Sequence, residues 1–162
     1  MATKTSVYKE SIKKVGFWNY KDLYSFSFGW LKDNGYGVKE NEYTEKASDF
    51  GKEIIIVWEA SRKVTDYFKN TITIKWHILG MNDAQIERAG RTEKTNKGEV
   101  KLDFSADMVK DYDEKWEDKP VKVFMRGIYD NYINKKISDQ HEDRLKDDIK
   151  ELINQVKAFL EL

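Results

Sequence analysis

Two histidines, His77 and His141, are the side chains in this 162-residue sequence best suited to acid–base chemistry or metal binding near neutral pH. His77 lies on the polar side of an alternating segment, whereas His141 lies on a predicted helix whose neighbouring charges point in different directions. Neither has a partner at a spacing typical of a metal or catalytic site. We therefore expect His77 to be solvated or paired across strands, and His141 to lie in or beside an apolar helix seam.

Five carboxylates follow one of the alternating segments: Asp107, Asp111, Asp113, Glu114 and Glu117. Carboxylates share a cation or divide acid and base roles only when they converge from separate elements. We expect these to decorate a loop, with a cation or partner contact as the alternative. Gly35-Tyr36-Gly37 lacks the third glycine of a dinucleotide-binding loop and predicts a turn. With no cysteine and no recognisable catalytic motif, the sequence predicts a non-enzyme without cofactor or metal.

Aromatic residues make up 14% of the chain, which is its most unusual compositional feature. The candidates for an apolar pocket are Trp58, Trp76, Phe104 and Trp30. They either fill a core under a helix or line a cavity for an apolar ligand. Arg62-Lys63 with Tyr67-Phe68-Lys69 would suit single-stranded nucleic acid, but 29 basic and 29 acidic residues balance. We expect no nucleic-acid partner.

Alternating apolar and polar residues predict strands over 71–79 and 99–108, each with one buried face. The continuously apolar run 54–58 predicts a strand covered on both faces, or one whose second face meets a partner. A charged strand over about 37–46 is typical of a sheet edge protected from further pairing. The segment 84–96 predicts a polar hairpin, and together these segments indicate an antiparallel sheet of about five strands.

Apolar residues at helical spacing predict a helix over about 20–33, with Asn19 as N-cap and Asn34-Gly35 as its end. A strand is the alternative, because aromatic residues also alternate there: Tyr24, Phe26, Phe28 and Trp30. Residues 1–15 are polar and basic and predict an arm ahead of the domain. Beyond the single proline, Pro120, apolar residues recur at intervals of three and four to the end of the chain. About 40 helical residues would extend about 60 Å, further than one small sheet can cover.

These elements predict one α+β domain over residues 16–162. It consists of an N-terminal helix, an antiparallel sheet of about five strands and a long C-terminal helix from about residue 120. This helix either packs on the sheet or extends beyond it. The sequence has no apolar run of membrane-spanning length and no signal-peptide pattern, so we expect a cytoplasmic protein without a transmembrane segment.

Four segments resemble a group of small uncharacterised proteins encoded in archaeal genomes. They are Ile56–Lys69, Ile74–Met81, Lys97–Val100 and Arg126–Asp130. The resemblance covers most of the chain and implies an archaeal or archaea-associated source and an independent single domain. The group has no assigned activity, so no residue role is transferred.

The length of the predicted C-terminal helix favours a non-enzymatic structural or interaction protein that self-associates. The candidate interface is the helix seam formed by Ile137, His141, Leu145, Ile149, Leu152, Val156 and Phe159. We expect a homo-oligomer, with another protein partner as an alternative. A second hypothesis is a binding module that holds an apolar small molecule or lipid between the aromatic sheet face and the helix. A third is an enzyme that uses carboxylates or His77.

Overall fold

A computed structural model describes residues 3–110 and 134–162. These residues form a five-stranded antiparallel sheet of order β1-β5-β4-β3-β2, with two helices. The strands are β1 (Thr3–Trp18), β2 (Gly37–Ser48), β3 (Gly51–Lys63), β4 (Phe68–Arg88) and β5 (Arg91–Lys110). Helix α1 (Tyr20–Asp33) connects β1 to β2, and helix α2 (Asn134–Phe159) is C-terminal.

The prediction that a helix opens the chain is wrong, because the first element is strand β1. It pairs with β5 from Thr3 opposite Lys110 to Trp18 opposite Asn96, so the expected polar arm lies in the sheet from residue 3. As an edge strand, β1 buries few side chains, chiefly Ile12 and Trp18. Its many lysines protect an exposed edge from pairing with another strand. Because the segment is so highly charged, its sequence does not have the pattern of a buried strand.

Helix α1 has the predicted bounds, and its ends have the predicted chemistry. The Asn19 side-chain oxygen accepts a hydrogen bond from the Asp22 backbone N–H at 2.9 Å, which caps the first turn. After Asn34, the chain leaves the helix through Gly35 at φ +86°. Leu23 and Leu31 are fully buried on the inner side of the helix.

One face of the sheet packs under both helices and holds the core. It is formed by Ile54, Ile56, Trp58, Ile72, Ile74, Trp76, Ile78, Val100, Leu102 and Phe104. The other face is polar in β4 and β5, with Lys75, His77 and Lys101 exposed. Ile55 and Val57 lie half-buried on that second face, which explains the continuously apolar run in β3.

Strands β4 and β5 continue past their neighbours as a two-stranded extension. The strand was predicted to end at residue 79, but Gly80 and Met81 form a bulge and pairing resumes with Asn82 opposite Lys97. Strand β3 pairs with β4 only to Met81, and β1 pairs with β5 only to Asn96. Residues 84–95 therefore project as a hairpin. From here on this hairpin, and not the predicted N-terminal segment, is called the arm. Its turn lies at Ala89 and Gly90, which confirms the hairpin predicted over residues 84–96.

Helix α2 begins at Asn134, and residues 120–133 of the predicted helix lie outside the described part of the chain. Its end is held to β1 by an ion pair between Lys157 Nζ and Glu10 Oε2 at 2.8 Å. The Tyr8 hydroxyl donates to the other oxygen of Glu10 at 2.6 Å. The interaction with Lys157, followed by the one with Tyr8, lowers the pKa of the Glu10 carboxyl below its usual 4.5.

Replacing Glu10 by Gln is expected to reduce stability at pH 7 more than at pH 3. A carboxyl whose pKa is lowered by folding stabilises the fold above its unfolded pKa, and this contribution disappears as the pH falls through its folded pKa. Urea unfolding at both pH values measures the difference. Glu87→Gln, on the exposed arm, is the matched control. An equal loss at both pH values for Glu10→Gln would show that the charge of Glu10 does not stabilise the fold.

Candidate ligand-binding clefts

The two histidines lie in separate places and form no common site. His77 is on the open sheet face, where its Nε2 is 3.1 Å from Glu53 Oε1 on the neighbouring strand. Cross-strand pairing was one of the two alternatives expected for His77. His141 lies on α2 with its ring centroid 5.1 Å from that of Phe68. Burial, and then the charge of Arg144, lowers the pKa of His141, which favours its neutral form.

Of the acidic stretch, only Asp107 lies in the described residues. It is 5% exposed at the end of β5 and forms an ion pair with Lys4 at 3.4 Å. The other four carboxylates lie outside the described ranges. Within residues 3–110 and 134–162, no three His, Asp or Glu side chains form a group that could hold a metal ion.

The four candidate pocket residues are all buried in the core. The structure brings Trp58 and Trp76 together with ring centroids 5.1 Å apart, and the Tyr24 ring lies 4.8 Å from Trp58. We call these three rings the aromatic cluster. Trp30 and Phe104 belong to the same buried core. These rings fill the space between sheet and helix where the sequence suggested a cavity.

A carboxylate fixes the aromatic cluster to the edge of the sheet. Glu40 Oε1 accepts hydrogen bonds from the Trp58 indole N–H at 3.2 Å and from the Tyr24 hydroxyl at 2.9 Å. Burial, and then the hydrogen bond to Glu40, raises the pKa of Tyr24 to about 12. Tyr24 therefore stays a neutral hydrogen-bond donor, and the rings are held in one arrangement.

The predicted interface seam on α2 packs largely against its own chain. Leu145, Ile149, Leu152 and Val156 are fully buried. Ile137 is 36% exposed and Phe159 is 37% exposed. Phe159 also stacks on Phe26 of α1, with ring centroids 5.7 Å apart. Helix α2 therefore buries most of its apolar face against the core of the same molecule.

An open cleft with a volume of about 960 Å³ lies between the start of α1, strands β2 and β3, and the arm. We call it cleft A. Its apolar lining includes Tyr20, Ile54 and Met81, and Ala84 contributes from the arm. The Tyr20 ring is 6.2 Å from Tyr24, so this lining continues into the aromatic cluster.

A chain of polar contacts crosses cleft A. The Tyr20 hydroxyl donates to the Tyr43 hydroxyl at 3.3 Å, and Tyr43 donates to Glu45 at 3.4 Å. Lys52 Nζ lies 3.1 Å from the other Glu45 oxygen. Burial, followed by the bond to Tyr43, raises the pKa of Tyr20 above its usual 10. Tyr20 is therefore a neutral phenol in this cleft.

The charges that line cleft A are balanced. Three lysines and three carboxylates contribute: Lys21, Lys52, Lys94, Asp22, Glu45 and Asp83. Lys52 and Glu45 neutralise each other, and Asp83 accepts a hydrogen bond from Asn96 at 3.2 Å. Charged groups of both signs therefore line this cleft.

A second cleft, cleft B, lies on the other side of the start of α1 and has a volume of about 860 Å³. Its lining combines apolar residues with charged ones: Phe17, Trp18, Ile86, Phe159 and Leu160 with Asp22, Arg88, Glu93, Lys94 and Glu161. Phe17 is 47% exposed, so a large apolar ring faces solvent there. The arm is tied to the chain beyond α2 at this cleft by an ion pair between Arg88 and Glu161 at 3.0 Å.

The two clefts meet where the start of α1 contacts the arm. Asn19, Asp22, Lys94 and Thr95 line both of them. The Asn19 side-chain amide donates to the Lys94 carbonyl at 3.4 Å, and the Asn96 side chain accepts from the N–H of Tyr20 at 3.0 Å. These two contacts separate the clefts. The contact between Asn19 and Lys94 is longer than the usual 2.9–3.0 Å of an N–H···O bond.

Neither helix within the described ranges combines the length and apolar character needed to cross a membrane. No protein-family model matches the sequence, and no curated protein matches it. Among solved structures, the chain is similar to an uncharacterized protein from Rhizobium leguminosarum, with 10% identity over 99% of this chain and 98% of that chain, and a TM-score of 0.28. A likeness at this level carries no argument about fold or function, and the archaeal resemblance stays a prediction.

Proposed function

We propose that this protein is a non-enzymatic binding module for an apolar small molecule or lipid, held in the clefts beside the arm. The observation that carries the proposal is cleft A, an open cavity of about 960 Å³ whose apolar lining adjoins the aromatic cluster. Its volume lies at the upper end of the range of about 300–1,000 Å³ that is typical of small-molecule sites. Small-molecule sites combine apolar surface with placed polar groups. In cleft A the apolar part comes from Tyr20, Ile54, Met81 and Ala84, beside six charged side chains.

The proposed ligand site lies outside the space between sheet and helix, where the sequence suggested it. Trp58 and Trp76 occupy the space between sheet and helix and are at most 1% exposed. A ligand at that place would have to displace packed rings, which costs several kcal/mol. Clefts A and B are open without such displacement. The aromatic cluster then serves as a rigid wall behind the site.

Self-association through α2 has less support. Four of the seven seam residues are fully buried within the chain, namely Leu145, Ile149, Leu152 and Val156. They would have to leave their own core before they could contact a second copy. Ile137 and Phe159 alone offer too little apolar surface for a stable dimer, which buries at least about 1,000 Å².

Filling cleft A is expected to weaken binding of an apolar probe by at least about tenfold, the equivalent of about 1.4 kcal/mol. Ala84→Trp places a large ring in the cleft from the exposed arm. Isothermal titration with dodecyl maltoside, kept below its micelle concentration, measures the affinity. Lys39→Trp, an exposed position on β2 outside both clefts, is the matched control.

The control variant should bind as the parent protein does. Equal affinity of the parent and the Ala84→Trp variant would exclude cleft A as the site. No binding of the probe by the parent protein would contradict the proposed function.

A further inference from the structure

We infer that the open sheet face, opposite the core, docks on a bilayer that contains anionic lipids. One half of this face makes the contact, formed by residues 9–17 of β1, 97–105 of β5 and 73–79 of β4. We call it the basic half-face. The inference goes beyond the proposed function and adds a partner. Three features carry it: an excess of lysines, apolar side chains exposed at one end, and the charges of the other half.

The charged side chains of the basic half-face are mostly lysines. Strand alternation places five exposed lysines on this side: Lys9, Lys13, Lys75, Lys97 and Lys101. The carboxylates on the same side are Glu99 and Asp103, and both are partly buried. Glu99 Oε1 is 2.7 Å from Lys13 Nζ. Five lysines against two carboxylates leave an excess of three positive charges here, although the whole chain is neutral.

Three large apolar side chains are exposed at the end of the basic half-face nearest the arm. Val15 is 69% exposed, Phe17 is 47% exposed and Leu79 is 38% exposed. Val15 and Leu79 lie on either side of Glu99, since both are its partners in the sheet register. Lys97 Nζ is 5.4 Å from the centroid of the Phe17 ring. Single exposed apolar residues are ordinary, but a cluster of them indicates a contact surface.

Lysines beside exposed apolar side chains fit an anionic bilayer better than a nucleic acid. The lysines are attracted by the negative surface potential of such a bilayer. The apolar side chains gain free energy when they insert at the boundary between head groups and acyl chains. A nucleic acid would use the lysines, but Val15 and Leu79 have no ring on which bases could stack. Both contributions act in one orientation, because the side chains share one face of the sheet.

The other half of the open face favours the same orientation. From residue 53 to residue 59 of β3 and across to β2, its charged side chains are Lys39, Glu42, Lys46, Glu53 and Glu59. They leave an excess of one negative charge. An anionic surface therefore attracts the β1 side of the open face and repels the β2 side. Phe17, on the β1 side, also lines cleft B, so docking places this cleft beside the bilayer.

Flotation with lipid vesicles tests the inference on the full chain. One set of vesicles is phosphatidylcholine alone, and the other contains equal parts of phosphatidylcholine and phosphatidylserine. We expect at least about tenfold stronger binding to the anionic vesicles. High salt should weaken this binding, because it screens exposed charges. Equal binding to the two sets, or none to either, would overturn the inference and leave the proposed function in place.

Two double variants test which half of the face makes the contact. Lys75→Gln with Lys101→Gln removes two charges from the basic half-face and should weaken binding to the anionic vesicles by at least about tenfold. Lys39→Gln with Lys46→Gln removes the same charge from the other half and is the matched control. It should change binding by less than about twofold, since these lysines face away from the bilayer. Equal losses in both double variants would overturn the assignment to the basic half-face.

The variant Val15→Ser tests the apolar contribution. The Val15 side chain is mostly exposed, so the substitution should change stability little. It should weaken binding to the anionic vesicles by at least about threefold, because less apolar surface is buried at the bilayer. Unchanged binding would leave only the charges, which a nucleic acid would satisfy equally well, and would overturn the choice of a lipid partner.

Discussion

Replacing Trp58 by alanine is expected to lower the free energy of unfolding by about 3–5 kcal/mol, the range for truncation of a buried large aromatic residue. The Trp58 side chain is fully buried and contacts the rings of Tyr24, Phe28 and Trp76. Its indole N–H also donates to Glu40 at 3.2 Å. The substitution therefore removes packing from the centre of the aromatic cluster and leaves a cavity there. Urea unfolding followed by far-ultraviolet circular dichroism measures the loss.

The matched control for this substitution is Phe50→Ala. Phe50 is 87% exposed at the turn between β2 and β3, so its truncation should change stability by less than about 0.5 kcal/mol. A similar small effect of Trp58→Ala would mean that the aromatic cluster does not hold the core together. The rigid wall proposed behind the clefts would then be wrong as well.

Gly51→Ala is expected to destabilise the protein by about 1–3 kcal/mol more than Gly16→Ala, the typical cost of forced overpacking. Both glycines have positive φ, +121° at Gly51 and +128° at Gly16, so both substitutions introduce backbone strain. A Cβ at Gly51 would lie 2.6 Å from the backbone carbon of Gly80, whereas a Cβ at Gly16 would meet nothing within 4 Å. The difference between the variants therefore reports the contact of two backbones at the base of the arm.

Chemical denaturation of both variants at one pH gives this difference. Equal losses would show that β3 and the bulge at Gly80 are not in close contact. Since cleft A lies between β3 and the arm, its shape would then differ from the one described. Gly51→Ala should also weaken binding of dodecyl maltoside, because any shift of Gly80 moves Met81 in the lining of the cleft.

Much of the fold could be predicted from the sequence because its signals are local. Asn19 and Gly35 mark the ends of α1 by capping chemistry within one turn of the helix. Alternation revealed the parts of β4 and β5 that lie inside the sheet, since each buries one face there. The predictions that were wrong concern strands that pair over long sequence distances. Strand β1 is recognisable only through its partner β5, about 80 to 107 residues away.

The bulge in β4 shows a second limit of local signals. Residues 80–83 contain turn-forming residues, and Gly80 does adopt φ +61°. Strand β4 nevertheless continues beyond these residues, because pairing with β5 resumes with Asn82 opposite Lys97. A bulge and a strand end use the same residue types, so the sequence alone does not distinguish them.

The sequence predicted the burial of the aromatic residues but not the clefts. Trp58 and Trp76 lie together and buried, as their strand patterns indicated. The clefts exist because the arm packs beside the start of α1. One contact that fixes this arrangement joins Tyr20 to Asn96, 76 residues apart. Nothing in either local sequence indicates that these two residues meet.

The location of bound amphiphile tests the central claim most directly. Amide shift changes, recorded by heteronuclear magnetic resonance during titration with dodecyl maltoside below its micelle concentration, report this location. Binding in the clefts should concentrate the changes in the segments that border them, which are residues 17–22, 43–54, 81–96 and 158–161. Changes confined to the open sheet face around Lys75 and His77, or no saturable changes at all, would contradict it.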